Sequence, residues 1–205
     1  YPTESVYGLG AAATNEGVAA VRAIKGREAE KPFILLVPSG SDEALKGLER
    51  NEDARSLAAK FWPGPLTLVL ADRESRFPEG VRSGRGGVAV RVSSDPFVAA
   101  LQAVFNAPLL STSANRSGGV PAYAAQDLQT LAGRPGSDRL WIVDGGIRNS
   151  NLPSTIVDLT GARPTVVRRG LVTTSDLARV VPEIDEQLLR PTSGDRNVHR
   201  SGARG

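Results

Sequence analysis

Three groups of polar side chains in this sequence could bind an anion. The first is the cationic run 25–27 (KGR) together with Lys31, at the end of a helical pattern. The second is the run 111–119 (STSANRSGG), in which five hydroxyl or amide side chains and two glycines follow an apolar strand. The third pairs Ser154, at the start of a predicted strand, with Arg168 at the end of the next one. Hydroxyls, cations and the backbone of glycine-rich loops are typical anion-binding groups.

Each cationic group also has an ordinary explanation. Cations are favoured at the C-terminal end of a helix by its dipole, which alone could account for the run 25–27. Arg91 lies inside the apolar strand 88–92 (VAVRV). An arginine there either lies on a solvated sheet face or holds a carboxylate or phosphate. The residues by themselves leave both alternatives open.

Several classes of enzyme chemistry are excluded by what the sequence lacks. It contains no cysteine, and its single histidine, His199, is near the C-terminal end. Ser-His-Asp triads, thiolate nucleophiles and zinc–sulfur sites are therefore not expected, and no metal site of the protein's own is predicted. The glycine-rich run 84–87 lacks the Lys-Ser/Thr of a phosphate-binding P-loop. The run 8–13 (GLGAAA) matches a dinucleotide fingerprint only superficially, because the next helix is predicted to begin near Glu16, several residues later.

What remains suits a reaction in which phosphate oxygens are clamped and the nucleophile is already anionic. Nucleotidyl transfer is such a reaction, because its catalysis is largely positioning and charge stabilisation, with Mg²⁺ arriving on the nucleotide.

These residues have to be positioned by alternating strands and helices. The predicted strands are 33–37, 66–71, 88–92, 109–112, 140–143, 155–159 and 165–168, and residues 1–3 are interpreted as the end of a further strand. The predicted helices end at Gly26, begin at Asp95-Pro96, and cover 42–50, 53–61, 124–131 and 175–189. Such alternation predicts an α/β or α+β domain around a twisted, mixed, open sheet flanked by helices.

Charge and length indicate one domain followed by a short tail. Of the 205 residues, 25 are Lys or Arg and 22 are Asp or Glu, which gives a net charge of +3. Residues 190–205 hold four arginines and one aspartate, so the body 1–189 is neutral. We therefore expect a catalytic domain over 1–189 and a basic, disordered tail over 190–205. No apolar run approaches the roughly 18 residues of a membrane span, so we expect no membrane partner and a cytoplasmic protein. Because the chain contains no methionine, residues preceding Tyr1 are expected to be missing.

Seven motifs resemble, in order, those of the YrdC family. They are 1–10 (YPTESVYGLG), 25–27 (KGR), 62–67 (WPGPLT), 88–92 (VAVRV), 113–115 (SAN), 154–160 (STIVDLT) and 168–170 (RRG). The resemblance covers residues 1 to about 170. It implies a twisted open sheet with a concave cationic pocket. It also implies synthesis of L-threonylcarbamoyladenylate from L-threonine, bicarbonate and ATP with Mg²⁺, for the modification of adenosine in tRNA.

The same resemblance implies roles for individual residues. The catalytic set is Lys25, Arg27, Ser113 and Asn115. The ATP-binding set is Arg27, Lys31, Gly87, Ser113 and Arg168. The threonine-binding set is Thr3, Arg91, Ser111 and Ser154. The implied macromolecular partners are downstream threonylcarbamoyl transferase proteins and, where RNA is bound directly, tRNA or double-stranded RNA.

Three departures and two alternatives accompany this interpretation. Many longer members of the family carry a second C-terminal domain, whereas this chain has only the expected tail, so it resembles the short single-domain type. Many members of the family have a histidine where this chain has Leu36, so one threonine contact is expected to be absent or replaced. The last of the seven motifs reads Arg168-Arg169-Gly170 in this chain, where the family has Arg-Pro-Gly, and the change adds a cation. One alternative is a module that binds double-stranded RNA or tRNA without synthase activity. The other is a carbamoyl-adenylate-forming module of hydrogenase maturation proteins, against which the absence of cysteine argues.

Overall fold

The strands and helices come from a computed structural model that describes residues 1–26, 32–135, 137–148 and 152–187. The strands are β1 Gly8–Ala12, β2 Ile34–Leu36, β3 Leu66–Ala71, β4 Gly87–Arg91, β5 Leu109–Ser113, β6 Thr155–Asp158, β7 Thr165–Arg168 and β8 Asp185–Glu186. The α-helices are α1 Asn15–Lys25, α2 Glu52–Phe61, α3 Pro96–Phe105 and α4 Thr174–Ala178. Short 3₁₀-helices cover Glu43–Leu45, Ala125–Leu131 and Ser137–Arg139.

All eight strands belong to one sheet, in the order β1-β5-β2-β4-β3-β6-β7-β8. The pairs β2–β4, β3–β6 and β7–β8 are parallel, and the other four neighbouring pairs are antiparallel. The predicted mixed α/β sheet is therefore confirmed. The strands in the middle of the order come from distant parts of the chain, so the sheet brings together motifs that lie far apart in the sequence.

One face of the sheet carries the main hydrophobic core. Leu35 of β2 lies opposite both Val90 of β4 and Leu110 of β5, and Leu68 of β3 lies opposite Val90. These side chains are buried together with the apolar residues of α1 and α2. Since successive side chains of a strand point to opposite faces, the residues between them point away from this core.

The opposite face carries the polar residues, and we call it the site face. It is defined by Ser111 and Ser113 of β5, by Gly87 and Arg91 of β4, and by Arg168 of β7. Arg168 lies on this face because an irregularity in the β6–β7 pairing shifts the register, so that it is opposite Ile156. Helix α3 covers a part of this face, where Val98 packs with Leu36 and Leu109 in a smaller apolar cluster. The rest of the face is occupied by the hydroxyl and guanidinium groups described below.

Local capping chemistry sets the end of α1 and the start of α3. Helix α1 ends at Gly26, whose φ of 61° places it in the left-handed region that favours glycine. Asp95 caps α3, because its side chain accepts hydrogen bonds from the backbone N–H groups of Phe97 and Val98, and Pro96 occupies the first turn. Both sequence predictions are confirmed.

Several predicted elements are wrong or shorter than expected. Residues 140–143 form no strand, and Trp141 in this run is 90% exposed, so no sheet partner covers the apolar run. The helix predicted over 42–50 is only the turn Glu43–Leu45. The run 124–131 is helical, but as a 3₁₀-helix, whose three-residue repeat buries Leu128 and Leu131 on one side.

The C-terminal helix and the sheet edges also differ from expectation. Helix α4 ends at Ala178, before Pro182, because proline has no N–H to donate and its ring clashes with the preceding turn. Residues 1–3 form no strand, whereas β1 and β8 were not predicted. The predicted tail 190–205 lies outside the described residues and stays a prediction. Within the part of the chain that is described, no helix is long and apolar enough to cross a membrane.

Candidate functional site

The side chain of Lys25 joins the end of α1 to the loop after β5. Lys25 is only 4% exposed, and its ammonium donates to the Ser113 carbonyl at 2.6 Å, the Asn115 carbonyl at 2.9 Å and Asn115 Oδ1 at 3.0 Å. A cation that served only the helix dipole would not need buried acceptors on another element. Lys25 therefore holds the conformation of the loop 113–119, which is more than a helix-end effect.

The hydroxyl and amide groups of that loop are ordered by the same contacts. The Ser113 hydroxyl donates to Asn115 Oδ1 at 2.5 Å, and the Asn115 amide donates to the carbonyls of Arg116 at 2.8 Å and Gly119 at 2.5 Å. The backbone N–H of Ser117 donates a hydrogen bond to the Lys25 carbonyl at 3.0 Å. Lys25, Ser113 and Asn115 thus form one connected unit, which the sequence analysis grouped as catalytic.

We expect Lys25→Met to lower the free energy of unfolding by about 2–3 kcal/mol, because it leaves three buried acceptors without their donor. For a chain of this length, that corresponds to a fall of roughly 5 to 10 °C in the melting temperature. Thermal unfolding followed by circular dichroism measures it. Lys60→Met is the matched control, since Lys60 lies exposed in the last turn of α2. An equal, small effect of both substitutions would show that Lys25 does not stabilise the loop.

A second unit connects β7, β6 and β3. The Arg168 guanidinium donates to the Ser154 carbonyl from Nε at 3.0 Å and from Nη2 at 2.8 Å, and Nη2 also contacts the Ser154 hydroxyl at 2.9 Å. That hydroxyl shares a hydrogen bond of 2.9 Å with the buried hydroxyl of Thr67. Burial, and secondarily the nearby charge of Arg91, lower the pKa of Arg168 to about 10. An anion placed here would relieve both unfavourable effects.

Arg91 is buried, so the interpretation as a solvated arginine is wrong. It is 6% exposed, and its Nη1 lies 3.7 Å from Glu4 Oε1. The other carboxylate oxygen of Glu4 accepts a hydrogen bond of 2.6 Å from the Ser93 hydroxyl. Neither Arg91 Nε nor Glu4 Oε1 has a hydrogen-bond partner among the described residues. The strand end thus presents a buried ion pair with an unused donor and an unused acceptor.

Tyr1 lies beside this ion pair on the site face. Its phenol donates a hydrogen bond of 2.6 Å to the Ser111 hydroxyl. Burial is the main reason that the pKa of Tyr1 is raised to about 12, and the charge of Glu4 adds to it, while Ser111 and Arg91 act in the opposite direction. The phenol therefore stays neutral and a donor at physiological pH. The Ser111 hydroxyl accepts this bond and keeps its own hydrogen to donate.

Thr3 and Gly87 have local roles that the sequence analysis did not assign. The Thr3 hydroxyl donates to the Val6 carbonyl at 2.6 Å, and the Thr3 carbonyl accepts from Arg148 at 3.4 Å. The backbone N–H of Gly87 donates to the Ser83 hydroxyl at 3.0 Å. A Cβ on Gly87 would lie 2.7 Å from the side chain of Val69, so only glycine fits at this start of β4.

The structure brings six of the predicted residues to the site face. Lys25 and Asn115 lie instead at the end of α1 and in the loop after β5, and the Thr3 hydroxyl is bonded to the Val6 carbonyl. Ser111, Ser113, Gly87, Arg91 and Arg168 share the face through the strand register, and the sheet neighbours bring Ser154 beside Arg168. Arg27 and Lys31, both assigned to ATP, lie outside the described residues. Cavities of about 320 and 500 Å³ lie beside the loop after β2, and Ser93 lines the second of them. They are mostly apolar and not lined by Arg91, Arg168 or Lys25, so the chemistry of the site face identifies the candidate site better than these cavities do.

Four residues of the site were missed in the sequence analysis: Tyr1, Glu4, Thr67 and Ser93. Tyr1 and Glu4 stand inside the first motif and Thr67 closes the third, so their motif positions were the available signal. Ser93 follows the strand that contains Arg91, but nothing in the sequence indicates that its hydroxyl holds Glu4. Such a contact depends on two segments meeting across the fold.

Comparisons with known proteins agree with this geometry. Residues 1–170 match the model of the Sua5/YciO/YrdC family, which carries the description "telomere recombination". A threonylcarbamoyl-AMP synthase from Pyrococcus abyssi is 36% identical over 186 residues, covering 90% of this chain and 53% of the relative. One from Marinobacter nauticus is 38% identical over 162 residues, covering 78% of this chain and 83% of the relative. This chain thus spans about half the length of the first relative and most of the second.

Solved structures show the same architecture. The crystal structure of P. abyssi Sua5 complexed with L-threonine has a TM-score of 0.80 and 35% identity, covering 91% of this chain and 54% of that one. The crystal structure of Escherichia coli YciO has a TM-score of 0.68 and 26% identity, covering 86% of this chain and 84% of that one. On the evidence of its motifs, its sheet and these matches, this chain belongs to the Sua5/YciO/YrdC family.

Proposed function

We propose that this chain catalyses the synthesis of threonylcarbamoyl-AMP. L-Threonine and bicarbonate form N-carboxythreonine and water, and the new carboxylate attacks the α-phosphate of ATP and displaces pyrophosphate. Relatives that align over most of this chain carry the name threonylcarbamoyl-AMP synthase. The observation that carries the proposal is the site face itself, on which the buried guanidinium of Arg91 and the partly buried one of Arg168 lie among hydroxyl groups and next to an unused donor and acceptor.

The nucleotide side of the site is assigned to Arg168, Ser113, Gly87 and the cations Arg27 and Lys31. Arg168 is held by Ser154 in one orientation, so its charge is preorganised and does not have to be immobilised when phosphate arrives. The pKa of Arg168 is lowered by burial and by the charge of Arg91, and a bound phosphate would offset both effects. Lys25 and Asn115 support the loop that carries Ser113, so we assign them to the catalytic set as residues that shape its geometry.

The threonine side is assigned to Arg91, Ser111, Ser154 and Thr3. The planar guanidinium of Arg91 matches a carboxylate with two parallel hydrogen bonds, and its Nε is an unused donor. Ser111, held by Tyr1, keeps a hydrogen for the substrate. Because Ser154 contacts Arg168, the two sides meet at this serine, as a transfer between two bound substrates requires.

Mg²⁺ would enter with ATP, coordinated by the phosphate oxygens. Among the described residues no group of three or more His, Cys, Asp or Glu side chains is arranged to hold a metal ion. The cations and hydroxyls of the site face suit the oxygens of a nucleotide whose remaining charge the metal neutralises. The adenylate would be used by a threonylcarbamoyl transferase acting on tRNA, and a cytoplasmic location is proposed for the reaction.

We expect pyrophosphate release from ATP and Mg²⁺ to require L-threonine and bicarbonate together. Glycine is expected to substitute poorly, because it has no hydroxyl for the polar groups of the site to bond. A coupled pyrophosphate assay with each component omitted in turn measures this dependence, and mass spectrometry identifies the product. Equal pyrophosphate release without threonine would contradict the proposal. Absence of turnover together with tight, salt-dependent binding of double-stranded RNA would favour the alternative, an RNA-binding module.

A further inference from the structure

The ion pair between Glu4 and Arg91 contains two buried polar atoms that have no hydrogen-bond partner within the described part of the chain. Glu4 Oε1 is an unused acceptor and Arg91 Nε an unused donor, and both lie in the same pair. Burying an ionic group without its hydrogen bonds is unfavourable, and such atoms are uncommon in folded proteins. An anion bound to Arg91 would give the unused donor a partner, but it would leave the acceptor Glu4 Oε1 without one.

The geometry of Glu4 shows that this acceptor is held in place. The Ser93 hydroxyl donates to Oε2 at 2.6 Å, so the carboxylate has one oxygen fixed and the other directed toward Arg91. Ser93 is itself buried, and its hydroxyl also accepts from the backbone N–H of Asp95 at 3.2 Å. The distance of 3.7 Å between Glu4 Oε1 and Arg91 Nη1 is longer than a hydrogen bond, so the ion pair does not satisfy the hydrogen-bonding capacity of the carboxylate oxygen.

A donor and an acceptor side by side are complementary to the zwitterion of an α-amino acid. Its carboxylate can accept hydrogen bonds from the Arg91 guanidinium. Its ammonium nitrogen, two bonds from the carboxylate carbon, can donate to Glu4 Oε1. Arg91, Arg168 and Glu4 together carry one net positive charge, and a bound zwitterion leaves that balance unchanged while satisfying both unused atoms. A simple carboxylate would satisfy only the donor.

We propose that Glu4 is the residue that binds the substrate's α-ammonium group and so selects an amino acid over the corresponding hydroxy acid. This inference rests on the proposed function, since it assigns one end of the threonine substrate. Once the nitrogen has been carboxylated it keeps one N–H, so the same acceptor remains bonded in the intermediate. Ser93 acts through Glu4 as a positioning residue.

The test changes the protein and the ligand together. Calorimetric titration compares L-threonine with 2,3-dihydroxybutanoate, in which a hydroxyl replaces the ammonium group, for the unaltered protein and for Glu4→Gln. The amide of Gln keeps the shape and the bond to Ser93 but loses the charge. We expect Glu4→Gln to weaken threonine binding about 10- to 100-fold. We expect it to change dihydroxybutanoate binding by no more than about twofold.

Controls separate this role from a structural one. Glu183→Gln, at an exposed glutamate, is expected to leave both affinities unchanged. Ser93→Ala keeps the charge but frees the carboxylate, and it should reduce the preference for threonine by a smaller factor than Glu4→Gln does. If Glu4 only balanced the charge of Arg91, the affinities for both ligands would change by the same factor, which would overturn the proposal. Failure of the unaltered protein to bind threonine would instead reject the proposed function.

Discussion

Replacement of Arg168 by alanine is expected to lower kcat/KM for ATP about a hundredfold or more. The reason is that the substitution removes a fixed positive charge that stabilises the negative charge developing on the phosphate. The guanidinium is held by three hydrogen bonds to Ser154, so its orientation is set before the substrate binds. We expect the same loss for Arg27→Ala, which the resemblance assigns to the phosphates as well. Steady-state kinetics of pyrophosphate release, with ATP varied at saturating threonine, measures both.

The neighbouring Arg169 is the matched control for Arg168. It is exposed and forms an ion pair with Glu186, at 2.6 Å, away from the Ser154 contacts. Arg169→Ala is expected to change kcat/KM by no more than about twofold, because exposed ion pairs contribute little. Circular dichroism should show both variants folded. If Arg168→Ala unfolds, Arg168→Lys, which keeps the charge, becomes the decisive variant. Full activity of Arg168→Lys and of Arg168→Ala would both count against a phosphate-binding fork at this position.

Arg91→Lys is expected to raise the KM for threonine about 10- to 100-fold while the KM for ATP stays nearly unchanged, because lysine keeps the charge but loses the planar fork that bonds a carboxylate twice. Titration of threonine and of a non-hydrolysable ATP analogue into the variant separates the two sides of the site. Because Arg91 is buried, the substitution is not expected to be without effect, as it would be at an exposed arginine.

Arg163→Lys, at an exposed arginine, serves as the control for the substitution itself. A loss of ATP affinity with unchanged threonine affinity in Arg91→Lys would show that the two sides of the site have been assigned in reverse. Equal losses for both ligands would instead indicate that lysine disturbs the buried cluster formed with Glu4 and Arg168.

The end of α1 and the start of α3 were predicted correctly because the residues that set them are close together in the sequence. Gly26 and the pair Asp95-Pro96 act within one helical turn, so their effect is readable without the rest of the fold. Strand β3 was likewise predicted with its bounds, because its apolar run has strong strand propensity. In contrast, β1 contains two glycines and two alanines, which are poor strand formers, and it is a strand only because β5 pairs with it along its whole length.

The apolar run 140–143 shows the opposite error. Its composition favours a strand, but no strand of the described sheet pairs with it, and Trp141 is exposed. Strand formation requires hydrogen-bonding partners from elsewhere in the chain, which local propensity does not supply. Propensity therefore predicted strands well in the interior of the sheet and poorly away from it.

The proposed chemistry of the site rests on residue types and motif order, since guanidiniums, hydroxyls and a glycine-rich loop without histidine or cysteine suit nucleotidyl transfer. The contacts among those residues could not be predicted in this way. Arg91 and Arg168 are separated by tens of residues, and they lie near each other because β4, β3, β6 and β7 are neighbours in the sheet, with a shift of register between β6 and β7. Glu4 reaches Arg91 from the segment that precedes β1. A shift of one residue in any of these strands would turn its polar side chains to the opposite face. The buried pair of Glu4 and Arg91 thus depends on long-range strand pairing, whose geometry no local stretch of sequence contains.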